Sequence, residues 1–184
     1  MKKLNVEDIV EDIYKSLDAG AYLSAFALAL TIPDTLAQIT YPELKGGGHV
    51  RERYVRWINE YYICRSEPSE EHDSECTRVM NGVIDNLNGD FFFELRNSFL
   101  HSDSNDVTKH MADLDFELSF NEGCSTSVFG YANCYWKHHV LSVPDFCKTV
   151  CAIAEHLLDM WKDDIEKQNE LKKFGIKLVC FNVT

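Results

Sequence analysis

The chain has 184 residues, 45% of them hydrophobic and 26% charged, which is typical of a single globular domain and excludes a wholly disordered chain. The formal net charge of −12 excludes a general nucleic-acid coat with a broad basic surface, but it leaves room for a local basic cleft. The odd number of cysteines, seven, does not suit a fully paired secreted framework, so we expect reduced thiols and a cytoplasmic protein.

An amphipathic helix is predicted near the start of the chain. Apolar residues between Val6 and Leu17 recur at three-and-four spacing, and Asn5 is a suitable N-cap residue. The helix should end near Gly20, because glycine commonly follows the last turn of a helix.

Residues 21–31 predict a second, buried helix, because apolar residues occupy nearly every side of it and many of them are small. Pro33 should kink this helix or start a short third one that continues through Gln38. The whole stretch from Ala21 to Ile39 is interrupted by polar residues, so we expect no membrane span here.

A loop at Pro42 and the Gly46–Gly48 run precedes a helix predicted over Val50 to Ile63. Three of the six arginines of the chain lie on this helix: Arg51, Arg53 and Arg56. They are candidate contacts for the phosphates of RNA, and they are equally candidates for surface pairing with the acids of the same helix.

The middle of the chain contains an acidic segment at about residues 66–76, which predicts a solvated loop. A short helix is predicted over residues 77–87. A stronger helix begins at Gly89, carries an apolar face of phenylalanines and leucines, and should end between His101 and Asp103.

The pattern changes to strands in the C-terminal half. Residues 114–120 alternate with period two, and residues 137–143 are a plausible partner strand, so we predict a β-hairpin over about 113–143 with a long connection. A last helix should run from Pro144 to about Lys173, and residues 176–183 could form a final strand. The sequence therefore predicts one mainly α domain over residues 1–184 with a small β addition.

The segment Arg96-Asn97-Ser98-Phe99-Leu100-His101 places a cation, an amide and an imidazole near the end of an apolar helix. At about 100° per residue, Asn97 and His101 lie on one helix face, and the long Arg96 side chain can reach the same cleft. Metal-free RNA cleavage needs a general base, a general acid and a cation at the phosphorane, and histidine and arginine suit these tasks. One helix offers a single histidine, so catalysis also predicts a homodimer with two facing copies.

This segment resembles the signature of the HEPN superfamily, in which an arginine and a polar residue precede a histidine near the end of a helix. Residues 22–34 and 53–57 are similar in style to helices of small bacterial members, and the resemblance covers roughly residues 6–161.

The resemblance implies a HEPN-like antiparallel helical bundle that homodimerises through its motif helices. It also implies a metal-independent endoribonuclease of toxin–antitoxin or phage-defence systems, with Arg96, Asn97 and His101 as catalytic residues, RNA as substrate, no cofactor, and an antitoxin or regulatory protein as a possible partner. Asp103 stands where some members have a tyrosine that is modified, so that form of regulation is not expected. The predicted hairpin exceeds the minimal bundle.

Other functions remain open. A non-catalytic HEPN-like module that dimerises and binds a nucleotide or a partner protein would suit the acidic composition. A metal-binding structural protein is a weaker alternative, because Cys147 and Cys151 lie four residues apart on a helix and could join one of two upstream histidines at a zinc ion. These histidines are His138 and His139, and Cys134 precedes them. We favour a core role for Cys147 and Cys151 and expect no metal site.

Overall fold

The structure, a computed structural model, describes residues 3–63, 88–100, 115–123, 126–129, 137–173 and 176–177. In these parts the chain is mainly helical with a small amount of sheet, which confirms the predicted class. The elements in chain order are β1 (Lys3–Leu4), α1 (Val6–Asp18), α2 (Tyr22–Ala29), α3 (Ile32–Thr40), α4 (Val50–Trp57), a π-helical segment (Ile58–Ile63), α5 (Gly89–Leu100), β2 (Asp115–Ser119), β3 (Thr126–Phe129), β4 (Lys137–Ser142), α6 (Val143–Met160), α7 (Ile165–Lys173) and β5 (Ile176–Lys177).

Helix α1 begins with a complete capping box. The Asn5 side chain accepts from the backbone N–H of Asp8 at 2.8 Å, and the Asp8 carboxylate accepts from the backbone N–H of Asn5 at 3.1 Å. These bonds satisfy two amides at the helix start that have no intrahelical partner. The apolar face of α1 then packs against α2 and α6, as the spacing of its residues predicts.

Helices α2 and α3 are separate, and Pro33 lies in the first turn of α3, as expected from a proline that cannot continue a preceding helix. Together they span Tyr22–Thr40, a stretch with the length and composition of a membrane span and a mean hydropathy of 1.3. Core helices of soluble proteins and signal sequences share this length and composition. The cytoplasmic location stays a prediction.

The predicted helix over residues 50–63 is only partly α-helical. It changes to π-helical geometry at Ile58, and the Asn59 side chain there accepts from the backbone N–H of Gly89 at 2.8 Å. A Cβ atom on Gly89 would lie 2.4 Å from the Val55 carbonyl oxygen, so only glycine allows α5 to start this close to α4. This close approach brings the two arginine-bearing helices side by side.

The small sheet has the order β2-β4-β3, and it corrects the predicted hairpin. Strands β2 and β4 do pair, but they run parallel, with Asp115 opposite His138 and Ser119 opposite Ser142. The reason is that β3 lies in the connection and reverses the chain once more, so β4 returns in the direction of β2. The antiparallel pair is formed by β3 and β4.

The single last helix predicted from Pro144 to about Lys173 is two helices. Helix α6 ends at Met160, and the Asp164 carboxylate then accepts from the backbone N–H groups of Glu166 and Lys167, both at 3.1 Å, to cap α7. After α7, strand β5 pairs antiparallel with β1, which supports the first two residues of the predicted final strand.

Helix α6 is the central element of the core. It contacts α1, α2 and α3, and Phe146 packs against Phe26 and Phe92 with ring centroids 5.4 and 5.3 Å apart. Aromatic pairs of this kind stabilise a core beyond the area they bury. The acidic segment at about 66–76 and the helix predicted over 77–87 lie outside the described residues.

Candidate active site

Arg96 and Asn97 lie on the last turns of α5, a helix that Phe91, Phe92 and Leu95 anchor in the core. The Arg96 side chain is 16% exposed, and its Nη1 donates to Asn97 Oδ1 at 3.0 Å. The two side chains therefore meet at the edge of the core, in a position that solvent reaches.

His101, the third residue of the predicted motif, follows Leu100, the last residue of α5, and lies outside the described residues. The structure therefore brings Arg96 and Asn97 together, and the position of the imidazole stays a prediction from helical spacing.

Asp34, in the first turn of α3, connects the guanidinium groups of two helices. Its Oδ1 accepts from Arg53 Nε at 2.8 Å, and its Oδ2 lies 3.9 Å from Arg96 Nη2. Sequence reasoning missed this residue, because an acid directly after Pro33 in a first helical turn is adequately explained by the helix dipole. Asp34 thus joins α3 to both α4 and α5.

Tyr54 lies on the buried side of the cluster that Asp34, Arg53 and Arg96 form. Its ring is fully buried, and the Arg96 guanidinium carbon lies 5.7 Å from the ring centroid, within the range of a cation–π contact. Burial raises the pKa of Tyr54, and the nearby Asp34 carboxylate acts in the same direction while Arg96 opposes it. The phenol therefore stays neutral at physiological pH.

Two buried donors of the cluster have no hydrogen-bond partner within the part of the chain that the structure describes. They are Arg96 Nε and the Tyr54 hydroxyl. Unsatisfied buried donors are uncommon in folded proteins; here one belongs to Arg96 of the predicted motif and the other to Tyr54, which packs against it. The cluster thus has unused hydrogen-bonding capacity.

The position of Arg53 does not suit the predicted contact with RNA. It is 4% exposed, and besides its bond to Asp34 its Nη1 donates to the carbonyl oxygens of Gly46 at 2.7 Å and Leu44 at 3.3 Å. Its donors hold the turn before α4 in place and are closed to an external phosphate. The alternation of charged and apolar residues on α4 did not reveal which arginine points inward.

Arg51 and Arg56 are exposed, as predicted, but each is paired with acids. Arg51 Nη2 lies 3.0 Å from Asp90, and Arg56 binds Glu43 at 3.0 Å and Glu60 at 2.8 Å. The predicted alternative, pairing with acids of the same helix, holds for Arg56 and Glu60, whereas Arg51 pairs with Asp90 at the start of α5. Contact with RNA stays a prediction for these two arginines.

Arg56 also belongs to a surface cluster with an aromatic side chain. Its guanidinium carbon lies 4.1 Å from the centroid of the Tyr41 ring, and the Tyr41 hydroxyl donates to Glu60 at 2.6 Å. Burial opposes ionisation of Glu60, but the hydrogen bonds from Tyr41 and Arg56 and the arginine charge outweigh it and lower the pKa of Glu60. Glu60 is thereby held ionised.

Cys147 and Cys151 are free thiols with no exposed surface, and burial raises the pKa of each to about 12. This environment supports their interpretation as core residues. No group of three or more metal-ligating side chains is found within the described ranges, and the side chains of Cys134, His138 and His139 lie outside them.

Comparison with protein-family models, with curated proteins and with solved structures found no match to this chain.

Proposed function

We propose that the protein is a metal-independent endoribonuclease of HEPN type that works as a homodimer in the cytoplasm. The observation that supports this most directly is the partial exposure of Arg96 and its few hydrogen bonds. It is a partly exposed guanidinium whose Nη1 binds Asn97, and its Nη2 makes no hydrogen bond to a described residue, since the nearest carboxylate oxygen, on Asp34, is 3.9 Å away. A cation with free donors at the edge of the core is suited to a phosphate group.

In the proposed reaction, the 2′-hydroxyl of a ribose attacks the adjacent phosphorus and the bond to the 5′-oxygen of the next nucleotide breaks. One histidine removes the proton from the 2′-hydroxyl and a second gives a proton to the departing 5′-oxygen, which leaves a 2′,3′-cyclic phosphate and a 5′-hydroxyl. His101 of each copy supplies these two roles. Arg96 stabilises the charge on the phosphorane, and Asn97 orients Arg96 or the phosphate.

The test is cleavage of a fluorescent RNA oligonucleotide and of a transfer-RNA mixture by the purified full chain. We expect cleavage that persists in EDTA, products with cyclic phosphate ends, and a specific activity per chain that falls on dilution as dimers dissociate. Arg96→Ala and His101→Ala should each lose at least about a hundredfold in rate, in line with the loss of one group that stabilises the transition state or transfers a proton.

Matched controls distinguish chemistry from folding. His156→Ala removes an exposed histidine of α6 and should leave cleavage unchanged. Arg96→Lys keeps the charge but loses the planar fork of donors, so it should recover only part of the activity. Cleavage that EDTA abolishes, or that survives His101→Ala, would contradict the proposal.

A second candidate function is a non-catalytic module that binds a partner protein, such as an antitoxin. The pairing of Arg51 and Arg56 with acids favours it, because α4 then presents a mixed-charge surface with little free positive charge for RNA. A shallow groove of about 550 Å³ on this surface is lined by both arginines together with Glu52, Asn59 and Asp90. A folded dimer that cleaves neither RNA substrate would favour this function over the nuclease.

A further inference from the structure

Asp34 divides its two carboxylate oxygens between two arginines that are held very differently. Arg53 makes a hydrogen bond of 2.8 Å to Oδ1, its side chain is 5% exposed, and two backbone carbonyls occupy its Nη1. Arg53 is therefore fixed, and so is the carboxylate that it binds.

Arg96 faces the other oxygen at 3.9 Å, which is an ion-pair distance but too long for a hydrogen bond. Its one hydrogen bond to a described residue is the 3.0 Å contact with Asn97. The Asp34 carboxylate thus attracts the Arg96 guanidinium and restricts its direction without occupying its donors.

The bond between Arg53 and Asp34 opposes a bidentate ion pair between Asp34 and Arg96. A free carboxylate and a guanidinium favour a bidentate pair with two parallel hydrogen bonds, which would neutralise Arg96 and occupy its donors. The bond from Arg53 Nε to Oδ1 holds the carboxylate where its other oxygen lies 3.9 Å from Arg96 Nη2, so this bidentate pair does not form. Arg53 thereby keeps Arg96 available.

The charges agree with this interpretation. Arginine stays protonated in proteins, and the neighbouring Tyr54 is neutral because burial raises its pKa, so two guanidinium groups share one carboxylate. The described part of the cluster carries one net positive charge, and it lies on the more exposed member of the pair, Arg96. A phosphodiester would complete the charge balance.

We infer that Asp34 is a positioning residue that orients Arg96 toward the scissile phosphate, with Arg53 as the anchor that keeps Asp34 from closing on Arg96. This inference rests on the proposed ribonuclease function and adds to it two residues on helices other than α5. Asp34 acts through Arg96 and need not touch the RNA.

The test is a double-mutant cycle with Asp34→Asn and Arg96→Ala, measured with the fluorescent RNA oligonucleotide. Asparagine keeps the shape of Asp34 and an oxygen for Arg53, but it removes the charge that directs Arg96. We expect kcat to fall between about 10- and 100-fold, as for other small misplacements of a reacting group. KM should stay the same or decrease, because the cluster becomes more positive toward RNA.

The double variant should be no slower than Arg96→Ala alone, because Asp34 has nothing to position once Arg96 is absent. Asp159→Asn, which removes an exposed ion-paired carboxylate of α6, is the matched control and should leave kcat unchanged. If Asp34→Asn does not fold, as judged by circular dichroism, Asp34→Glu keeps the charge but displaces the carboxylate and enters the same cycle.

The outcomes distinguish the positioning role of Asp34 from the proposed ribonuclease activity. An active wild-type protein whose Asp34 variant keeps its kcat, or whose two substitutions multiply independently, overturns the role of Asp34 and leaves the nuclease intact. A wild-type protein that cleaves no RNA overturns both. A fall in kcat with an unchanged or lower KM and no further loss in the double variant supports the inference, because a merely structural defect would not depend on Arg96.

Discussion

Helices α4 and α5 both carry arginines, and they differ in how completely those arginines are occupied. On α4, Arg53 is buried with all its observed contacts inside the protein, and the exposed Arg51 and Arg56 are each paired with acids. On α5, Arg96 has one hydrogen bond to its neighbour Asn97 and a longer contact with Asp34.

The number of arginines on a helix therefore does not indicate a phosphate site. Each partner that an arginine finds within the fold reduces the number of donors it can offer a ligand, and the elements around α4 supply partners for all three of its arginines. The single arginine of α5 is the better candidate because its partners leave donors unused. Three changes test this comparison, beginning with the one that we expect to have the largest effect.

Arg53→Ala should have the largest effect on stability. It leaves the Asp34 carboxylate and the Leu44 and Gly46 carbonyls without their buried partner, and removing one member of a buried ion pair costs about 3–5 kcal/mol. Urea unfolding followed by circular dichroism measures it. Arg56→Ala is the exposed control and should cost about 1 kcal/mol or less. Equal effects of the two substitutions would contradict the distinction between them.

Gly89→Ala tests the close approach that places α5 beside α4. The new methyl group would meet the backbone of Val55, which cannot move aside as a side chain can, so we expect a loss of roughly 1–3 kcal/mol. Gly47→Ala is the control, since nothing lies within 4 Å of its Cβ position and its backbone is not in the left-handed region. Thermal unfolding should show a lower Tm for the first variant alone. Unchanged stability would mean that α4 and α5 leave room for a methyl group at Gly89, which would contradict the close approach to Val55.

Glu60→Gln should have the smallest effect of the three substitutions, and it tests the surface cluster of Tyr41, Arg56 and Glu60. The hydrogen bonds and charge that lower the pKa of Glu60 below its usual value of 4.5 stabilise the fold while the carboxylate is ionised. This contribution is present above pH 4.5 and is lost as the pH falls through the lower pKa of the folded protein. Because the pair is solvent-exposed, we expect less than about 1 kcal/mol at pH 7.

The measurement for Glu60→Gln is the difference in Tm from the wild type at pH 7 and at pH 3. The difference should shrink at the lower pH, where the wild-type carboxyl group becomes protonated and resembles the amide. Tyr41→Phe is a control that removes only the hydroxyl donor. A difference that grows on acidification would have the wrong sign for this ion pair.

Much of the fold could be predicted from the sequence because most of the helices carry a local signal. The capping box at Asn5 and the proline at the start of α3 identify helix starts from neighbouring residues alone. The end of α6 could not be predicted, because an Asp164 cap within a run of charged residues looks like any solvated helix face. The direction of β2 relative to β4 also could not, since it depends on a third strand between them.

The candidate site divides in the same way. The sequence alone determined that a cation and an amide stand next to each other on an apolar helix, because a helical period fixes the relation between neighbours such as Arg96 and Asn97. The position of Asp34 between Arg53 and Arg96, and the burial of Arg53, follow from the tertiary structure alone. Those contacts join residues 19 and more positions apart, and which charge is neutralised inside the protein depends on the packing of three helices, which no local pattern records.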